Sequence, residues 1–198
     1  MYPSGIKKLI ECLKNFPGIG EKSAERLAFA LLNFDKEKQT NFIEAITEVR
    51  DKIKRCKICG NFCEDETCDI CSSDSREKNI IFVVEKPKDI YLFEKLGIFK
   101  GTYHVLDGLI SPLDGINPDD INIANLVSRI DNGNVSEVIL ALKPSIEGET
   151  TMQYIKKILE NKEVKVSKIA TGIPLGTDIE YIDTLTLELA LEERKNIS

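Results

Sequence analysis

Residues 55–71 read RCKICGNFCEDETCDIC and divide a 198-residue chain into two parts of different character. Two CxxC pairs, Cys56 with Cys59 and Cys68 with Cys71, each present two sulfurs on one side of a tight turn. Together they supply the four thiolates of a tetrahedral Zn²⁺ site, with Zn–S distances of about 2.3 Å. The segment has few apolar residues of its own. We therefore expect one structural zinc per chain to fold it.

Cys63 is the fifth cysteine of the segment. It lies four positions after Cys59 and five before Cys68, so it forms no CxxC pair with either neighbour, and we predict that it is not a ligand. A redox dithiol is the alternative interpretation of any CxxC pair, but two tandem pairs exceed what that chemistry needs. A closed four-sulfur site has no open coordination position, which argues against catalysis at the metal.

Composition points to an ordinary folded protein, with 42% hydrophobic and 30% charged residues. The N-terminus lacks the apolar run of a signal peptide, and no stretch approaches the roughly 18 apolar residues of a membrane span. We therefore expect a cytoplasmic protein without membrane contact. Thiols are usually reduced there, and paired CxxC motifs then indicate a metal site rather than disulfides.

The net charge of −6 is unevenly distributed. Residues 1–55 carry eleven Lys and Arg against eight Asp and Glu, whereas the rest of the chain is acidic. An acidic chain is not a general polyanion binder. Any contact with nucleic acid should therefore involve the first segment.

The stretch FPGIGEKSAERLA, residues 16–28, joins two segments with helical periodicity. Gly18 and Gly20 permit a tight turn, and the following helix begins with free N–H groups that can hold a phosphate without reading bases. Lys22 and Arg26 are four positions apart and share a helix face. This is the helix-hairpin-helix pattern of sequence-independent DNA binders. The alternative is a plain turn between helices with two solvated charges.

After residue 78 the pattern changes to alternating strands and helices. Continuous apolar runs of this kind suit strands that are buried on both faces of a parallel sheet. We expect a helix to begin at Asn117, where Pro and two acids follow a capping residue, and a last helix over about 182–194. The four predicted strands cover residues 80–85, 102–106, 137–142 and 164–170.

Four acids cluster near the predicted strand ends. Glu85 ends the first strand and Asp89 follows it, while Glu147 and Glu149 flank a glycine in the loop after the third strand. The carboxyl ends of parallel strands meet at one sheet edge, where such acids could share a Mg²⁺ ion. The alternative is a set of solvated loop acids.

The order of these features resembles the RecR recombination-mediator family over essentially the whole chain. The stretches YHVLDGLISPL (103–113) and EGETT (147–151) are the most specific part of this resemblance. Supporting stretches are LKNFPGIGEKSAERLAFALL, CKIC, CDIC, IIFVVEKPKDI and IATGIPLGTDIEYIDTLTLELAL. Cys63 and the charged Lys86-Pro87-Lys88 depart from the pattern we expect of that family.

The resemblance implies an α/β fold in four parts. They are a helix-hairpin-helix unit for DNA binding and oligomerisation (1–55), a C4-type zinc finger (56–71), a Toprim domain with a parallel sheet (79–175), and a C-terminal segment that packs on a neighbouring subunit (176–198).

The same resemblance implies function. It predicts a non-enzymatic, nucleoid-associated mediator of RecBC-independent recombinational repair. A dimer or tetramer ring would clamp gapped or double-stranded DNA and, with RecO and RecF, load recombinase. Lys22 and Arg26, with the hairpin glycines, would contact DNA. The Toprim acids Glu85, Asp89, Glu147 and Glu149 would form a metal site or a RecO contact. The alternative function is a Mg²⁺-dependent Toprim nuclease or primase-like enzyme.

Overall fold

The computed structural model describes residues 2–170, 172–173, 176–192 and 194. The chain forms two compact units, Met1–Ile53 and Lys54–Ser198. Parts of the predicted C-terminal segment, residues 193 and 195–198, lie outside the described residues, as do positions 171, 174 and 175 of the predicted third part. No helix in the described part of the chain is long and apolar enough to cross a membrane.

The first unit consists of three helices. Helices α1 (Ser4–Lys14) and α2 (Glu21–Leu32) pack through Ile10 and Leu13 against Ala24 and Ala28, whose small side chains let the two helices approach closely. Helix α3 (Lys36–Lys52) begins after Asp35, whose carboxylate accepts a 2.8 Å hydrogen bond from the Lys38 N–H, which is typical of an N-cap aspartate.

Helix α3 has no buried residue. Its sequence carries an apolar stripe, but Phe42, Ile46 and Val49 of that stripe are 47%, 56% and 63% exposed. A stripe of this kind normally faces the core of its own domain. Here the described residues of the chain leave it uncovered.

The second unit begins with the cysteine segment. Strand β1 (Lys54–Arg55) pairs antiparallel with β2 (Phe62–Cys63), and the short helix α4 (Asp69–Ser72) follows. The strands and helices of the sheet then alternate. They are β3 Glu77–Val84, α5 Pro87–Leu96, β4 Gly101–Val105, α6 Ile123–Asn132, β5 Glu137–Ala141, α7 Ile146–Leu159, β6 Lys165–Lys168 and α8 Thr184–Glu192.

The sheet has the order β4-β3-β5-β6, and every neighbouring pair is parallel, as predicted. Its two faces are both covered. Val83 and Val138 belong to a large core cluster on one side, while Phe82 and Val84 belong to a smaller cluster on the other. Alternate residues of β3 thus enter opposite cores, and this is why its sequence is continuously apolar.

The helix predicted to begin at Asn117 begins later. Pro118–Asp120 form a single 3₁₀ turn, in which the Asp120 carboxylate accepts a hydrogen bond from the Asn117 N–H. Ile121 is then extended and buried, and α6 begins at Ile123. The start signals are real, but burying Ile121 in the core interrupts the helix after one turn.

Candidate metal centre and nucleic-acid interface

The side chains of Cys56, Cys59, Cys68 and Cys71 converge. All four are buried, and their sulfurs lie within 4.8 Å of one another. The Cys59 and Cys68 sulfurs are 3.6 Å apart. Two sulfurs on a tetrahedral zinc with bonds of about 2.3 Å are separated by about 3.8 Å. The arrangement therefore fits a closed four-sulfur zinc site.

Local backbone geometry directs N–H groups at these sulfurs. The N–H of Asn61 donates to Cys59 Sγ at 3.4 Å, and the N–H of Cys68 donates to Cys56 Sγ at 3.3 Å. Hydrogen bonds among the sulfurs raise the pKa of Cys59 and Cys71 and lower that of Cys68. Cys59, Cys68 and Cys71 thus compete for protons, and a bound divalent cation would favour the thiolate form of its cysteine ligands.

Cys63 lies outside this group. It is half-buried, and its Sγ donates to the Asp65 carbonyl at 3.0 Å. Burial raises the pKa of its thiol. This geometry supports the interpretation of Cys63 as a bystander.

The hairpin of the first unit has the predicted form. Gly18 has a φ of 78°, a conformation that favours glycine, and Gly20 is the N-cap of α2 without a side-chain cap. Lys22 and Arg26 are exposed, and within the described residues neither makes an ion pair. By contrast Lys14, on α1, is held 2.6 Å from Glu21. The hairpin therefore combines an uncapped helix start with two available cations.

Two of the four Toprim acids follow β3. Glu85 lies 3.2 Å from the Lys86 ammonium, and the Asp89 carboxylate accepts a 2.9 Å hydrogen bond from the Lys86 N–H. Both line a cleft of about 440 Å³ that also contains Lys88 and Lys143. Three lysines thus share this cleft with two acids.

The other two acids lie in the first turn of α7 rather than in the predicted loop. The reason is Ser145, whose hydroxyl oxygen caps the helix by accepting from the Gly148 N–H. Glu147 accepts a 2.7 Å hydrogen bond from the Ser145 hydroxyl, and this bond lowers the pKa of that carboxyl. Glu149 lies 3.7 Å from the Lys168 ammonium. Among the described residues, the four cysteines are the set of potential metal ligands that the fold brings together, and Mg²⁺ gains no support.

Two networks of largely buried polar side chains join residues that no local sequence pattern connects. Tyr103 is fully buried and donates to Glu94, which also pairs with Arg76. Burial alone would raise the pKa of Glu94, but the Arg76 and Tyr103 hydrogen bonds lower it. Arg76 is eighteen positions from Glu94 in the chain and Tyr103 is nine positions from it, so helix or strand periodicity does not predict these contacts.

The second network surrounds His104, the one histidine of the sequence. Its Nε2 lies 2.7 Å from the Asn122 carbonyl, and burial lowers its pKa to about 4. The neutral ring therefore donates from Nε2. Nδ1 accepts from Arg129 at 3.4 Å, an interaction that the sequence does not foretell.

Family models match nearly all of the chain. They describe the RecR helix-hairpin-helix (residues 6–50), the RecR four-cysteine zinc finger domain (53–73), the Toprim domain (79–170) and the RecR C-terminal region (172–195). Recombination protein RecR of Clostridium perfringens strain 13 / Type A is 52% identical over 193 residues, 98% of this chain and 97% of the relative. Recombination protein RecR of Bifidobacterium adolescentis is 44% identical over 196 residues, 99% and 98% of the two chains.

Hairpin, cysteine cluster and parallel sheet thus define a three-module protein of the helix-hairpin-helix, zinc-finger and Toprim type. The chain belongs to the RecR family of recombination proteins.

Proposed function

We propose that this protein is a non-enzymatic recombination mediator that clamps gapped or double-stranded DNA during recombinational repair. One observation carries the proposal: exposed Lys22 and Arg26 stand without an ion-pair partner, among the described residues, beside the uncapped start of α2. Free N–H groups and two cations together suit a phosphate backbone and carry no base specificity. Binding should therefore be sequence-independent and steeply salt-dependent.

A salt titration of DNA affinity tests this proposal. Lys22→Ala and Arg26→Ala should each lower the affinity and reduce the slope of log K against log salt by about one. Arg50→Ala is the matched control, because it removes the same charge from an exposed side chain that Asp51 already neutralises. If both hairpin variants keep the parental affinity and slope, the hairpin does not contact DNA.

Assembly into a dimer or tetramer ring would reconcile DNA binding with a net charge of −6. Several copies would place their basic hairpins on one concave surface, where the fields add. The exposed apolar face of α3 supports such assembly, since it offers surface that the described part of the chain does not cover. We propose that this face lies between subunits.

The zinc site serves this function as a scaffold. We propose Cys56, Cys59, Cys68 and Cys71 as its ligands and Cys63 as a non-ligand. Zinc, when bound, supplies no open position for a substrate at such a site. The cysteines hold the segment that precedes the sheet in one conformation.

The Toprim acids are proposed as a partner contact for RecO, with RecF acting alongside. Each acid has a local hydrogen bond or ion pair, which supports a recognition surface more than a metal-dependent reaction centre. All four acids are partly exposed. Charged groups at an interface contribute mainly to the rate and specificity of association.

Two measurements separate a mediator from a nuclease. Calorimetry with RecO should show weaker binding by Glu147→Gln and Glu149→Gln, whereas Glu44→Gln in the helical unit should bind normally. A nicking assay on gapped plasmid with Mg²⁺ should show no cleavage. Cleavage that Glu85→Gln abolishes would establish the enzymatic alternative.

A further inference from the structure

Strand β4 is the end strand of the sheet, so one of its edges has no neighbouring strand in the described part of the chain. Three groups from outside the sheet bind that edge. The Val105 N–H donates to the Cys59 carbonyl at 2.8 Å, and Asn122 Nδ2 donates to the Val105 carbonyl at 2.9 Å. Arg129 Nη1 donates to the Tyr103 carbonyl at 2.6 Å. Residues two apart in a strand direct their backbone groups to the same side, so the cysteine knuckle and the guanidinium share one edge.

The knuckle lies close against this strand. A Cβ placed on Gly60 would be 3.3 Å from the Cβ of Val105, which is tighter than most contacts. Helix α4, which carries Cys71, also contacts β4. The cluster of sulfurs and the guanidinium are therefore held on the same strand by direct packing, without a flexible connection.

Arg129 has neutral hydrogen-bond partners. Besides the Tyr103 carbonyl, it contacts the Thr102 hydroxyl at 3.2 Å and His104 Nδ1 at 3.4 Å. His104 is uncharged near neutral pH. Within the described residues, no carboxylate lies within ion-pair distance of this arginine. Arg76 is different, because Glu94 balances its charge.

Partly burying a guanidinium without a carboxylate partner destabilises the fold unless another negative group balances the charge. Zinc with four thiolates carries an excess of two negative charges, also buried. Burial lowers the pKa of Arg129, and attraction to all four cysteines raises it. Each centre is thus the natural counter-charge of the other.

We propose that Arg129 is the counter-charge of the zinc–thiolate centre, and that it makes zinc affinity depend on the docking of α6 against β4. This inference rests on the proposed zinc site. It assigns a role in metal binding to a helix residue that is far from the cysteines in sequence.

The test compares two variants of the full chain in a zinc competition with a chromophoric chelator. Arg129→Met removes the charge and keeps much of the volume, and it should weaken zinc binding at least about tenfold. Arg129→Lys keeps the charge and should remain within about threefold of the parent. Thr102→Val is the matched control: it removes one hydrogen bond to the guanidinium and no charge, and it should leave zinc affinity unchanged.

Equal losses in the Lys and Met variants would mean that Arg129 acts through packing alone, and the proposal would fail. Unchanged affinity in both variants would overturn it as well. If the parent protein itself binds no zinc, the zinc site fails instead, so the two failures are distinguishable.

NMR covers the case in which Arg129→Met does not fold. The guanidinium resonances of Arg129 in the parent should shift strongly when a chelator removes zinc, while those of Arg50 in the helical unit should not. If the chemical shifts of the Arg129 guanidinium do not change when zinc is removed, the proposal is contradicted.

Discussion

The two units of this protein bury their apolar residues in opposite ways. The α/β unit has a main cluster of fifteen buried residues, with a second cluster on the other face of its sheet. The helical unit has four, and its longest helix has none. One unit completes its own core, whereas the other keeps its apolar surface available.

The difference shows what each unit needs from outside itself. The α/β unit needs a metal, because the segment that covers the edge of β4 has no core of its own apart from its cysteines. The helical unit leaves the apolar face of α3 exposed, and we propose that another subunit covers it. Four changes to the protein or its conditions test this contrast, the largest expected effect first.

Loss of zinc should have the largest effect and should fall on the α/β unit. Structural zinc sites are worth about 10–16 kcal/mol of binding free energy. Cys59→Ser should therefore reduce zinc from one ion per chain to none and lower the Tm of this unit by about 10 °C or more. Native mass spectrometry and calorimetry measure the two quantities. Cys63→Ser is the control, and zinc loss in that variant would show that Cys63 is one of the four ligands.

Breaking the Arg76–Glu94 pair should come next. Its side chains are 19% and 27% exposed, so Glu94→Gln leaves a poorly solvated arginine unpaired. We expect the α/β unit to lose about 3 kcal/mol, measured by urea unfolding. Glu48→Gln removes an exposed pair in the helical unit and should have a much smaller effect on stability. If both variants lose the same unfolding free energy, the two units do not differ in how strongly they depend on these ion pairs.

His104 should make the stability of the α/β unit depend on pH. Its pKa is about 4 when folded against about 6.5 when unfolded, so between these values the unfolded chain binds the proton more tightly. Stability should therefore fall as pH drops from about 6.5 to 4, by up to about 3 kcal/mol. Urea unfolding with excess zinc should show a smaller fall for His104→Gln. An identical pH profile in that variant would contradict this assignment.

The smallest effect on stability should come from α3. Ile46→Ser with Val49→Ser alters exposed side chains, so the unfolding free energy of the helical unit should change by less than about 1 kcal/mol. Sedimentation should nevertheless show smaller assemblies. Ile10→Ala is the control, since it empties a buried position and should cost about 2–5 kcal/mol. Unchanged assembly in the double variant would mean that α3 faces solvent.

Much of the fold could be predicted from local patterns. The apolar β3 run and the paired CxxC motifs each act over a few residues, and the structure confirms the parallel sheet and the convergence of four cysteines. Two expectations failed, one because of a tertiary contact and one because of a local helix cap. Burial of Ile121 postponed α6, and the Ser145 cap drew Glu147 and Glu149 into a helix.

The networks around Arg129 and Glu94 were beyond prediction for a different reason. Their partners are brought together by β4, which lies next to the cysteine segment in space and some thirty residues after it in sequence. Periodicity describes which face a residue occupies, but not which distant strand that face will meet. Only the folded chain reveals such contacts.

The cysteine segment, whose Cys59 carbonyl binds the edge of β4, is synthesised before that strand. Residues 56–71 leave the ribosome before residues 101–105, with about thirty residues between them. At about 5–20 residues per second, the cysteine segment has a few seconds to capture its metal before the end strand of the sheet emerges. An uncovered strand edge is a template for aggregation, and this segment is what covers it. A cysteine segment that has folded around zinc in that interval is in place to cover the edge as β4 emerges.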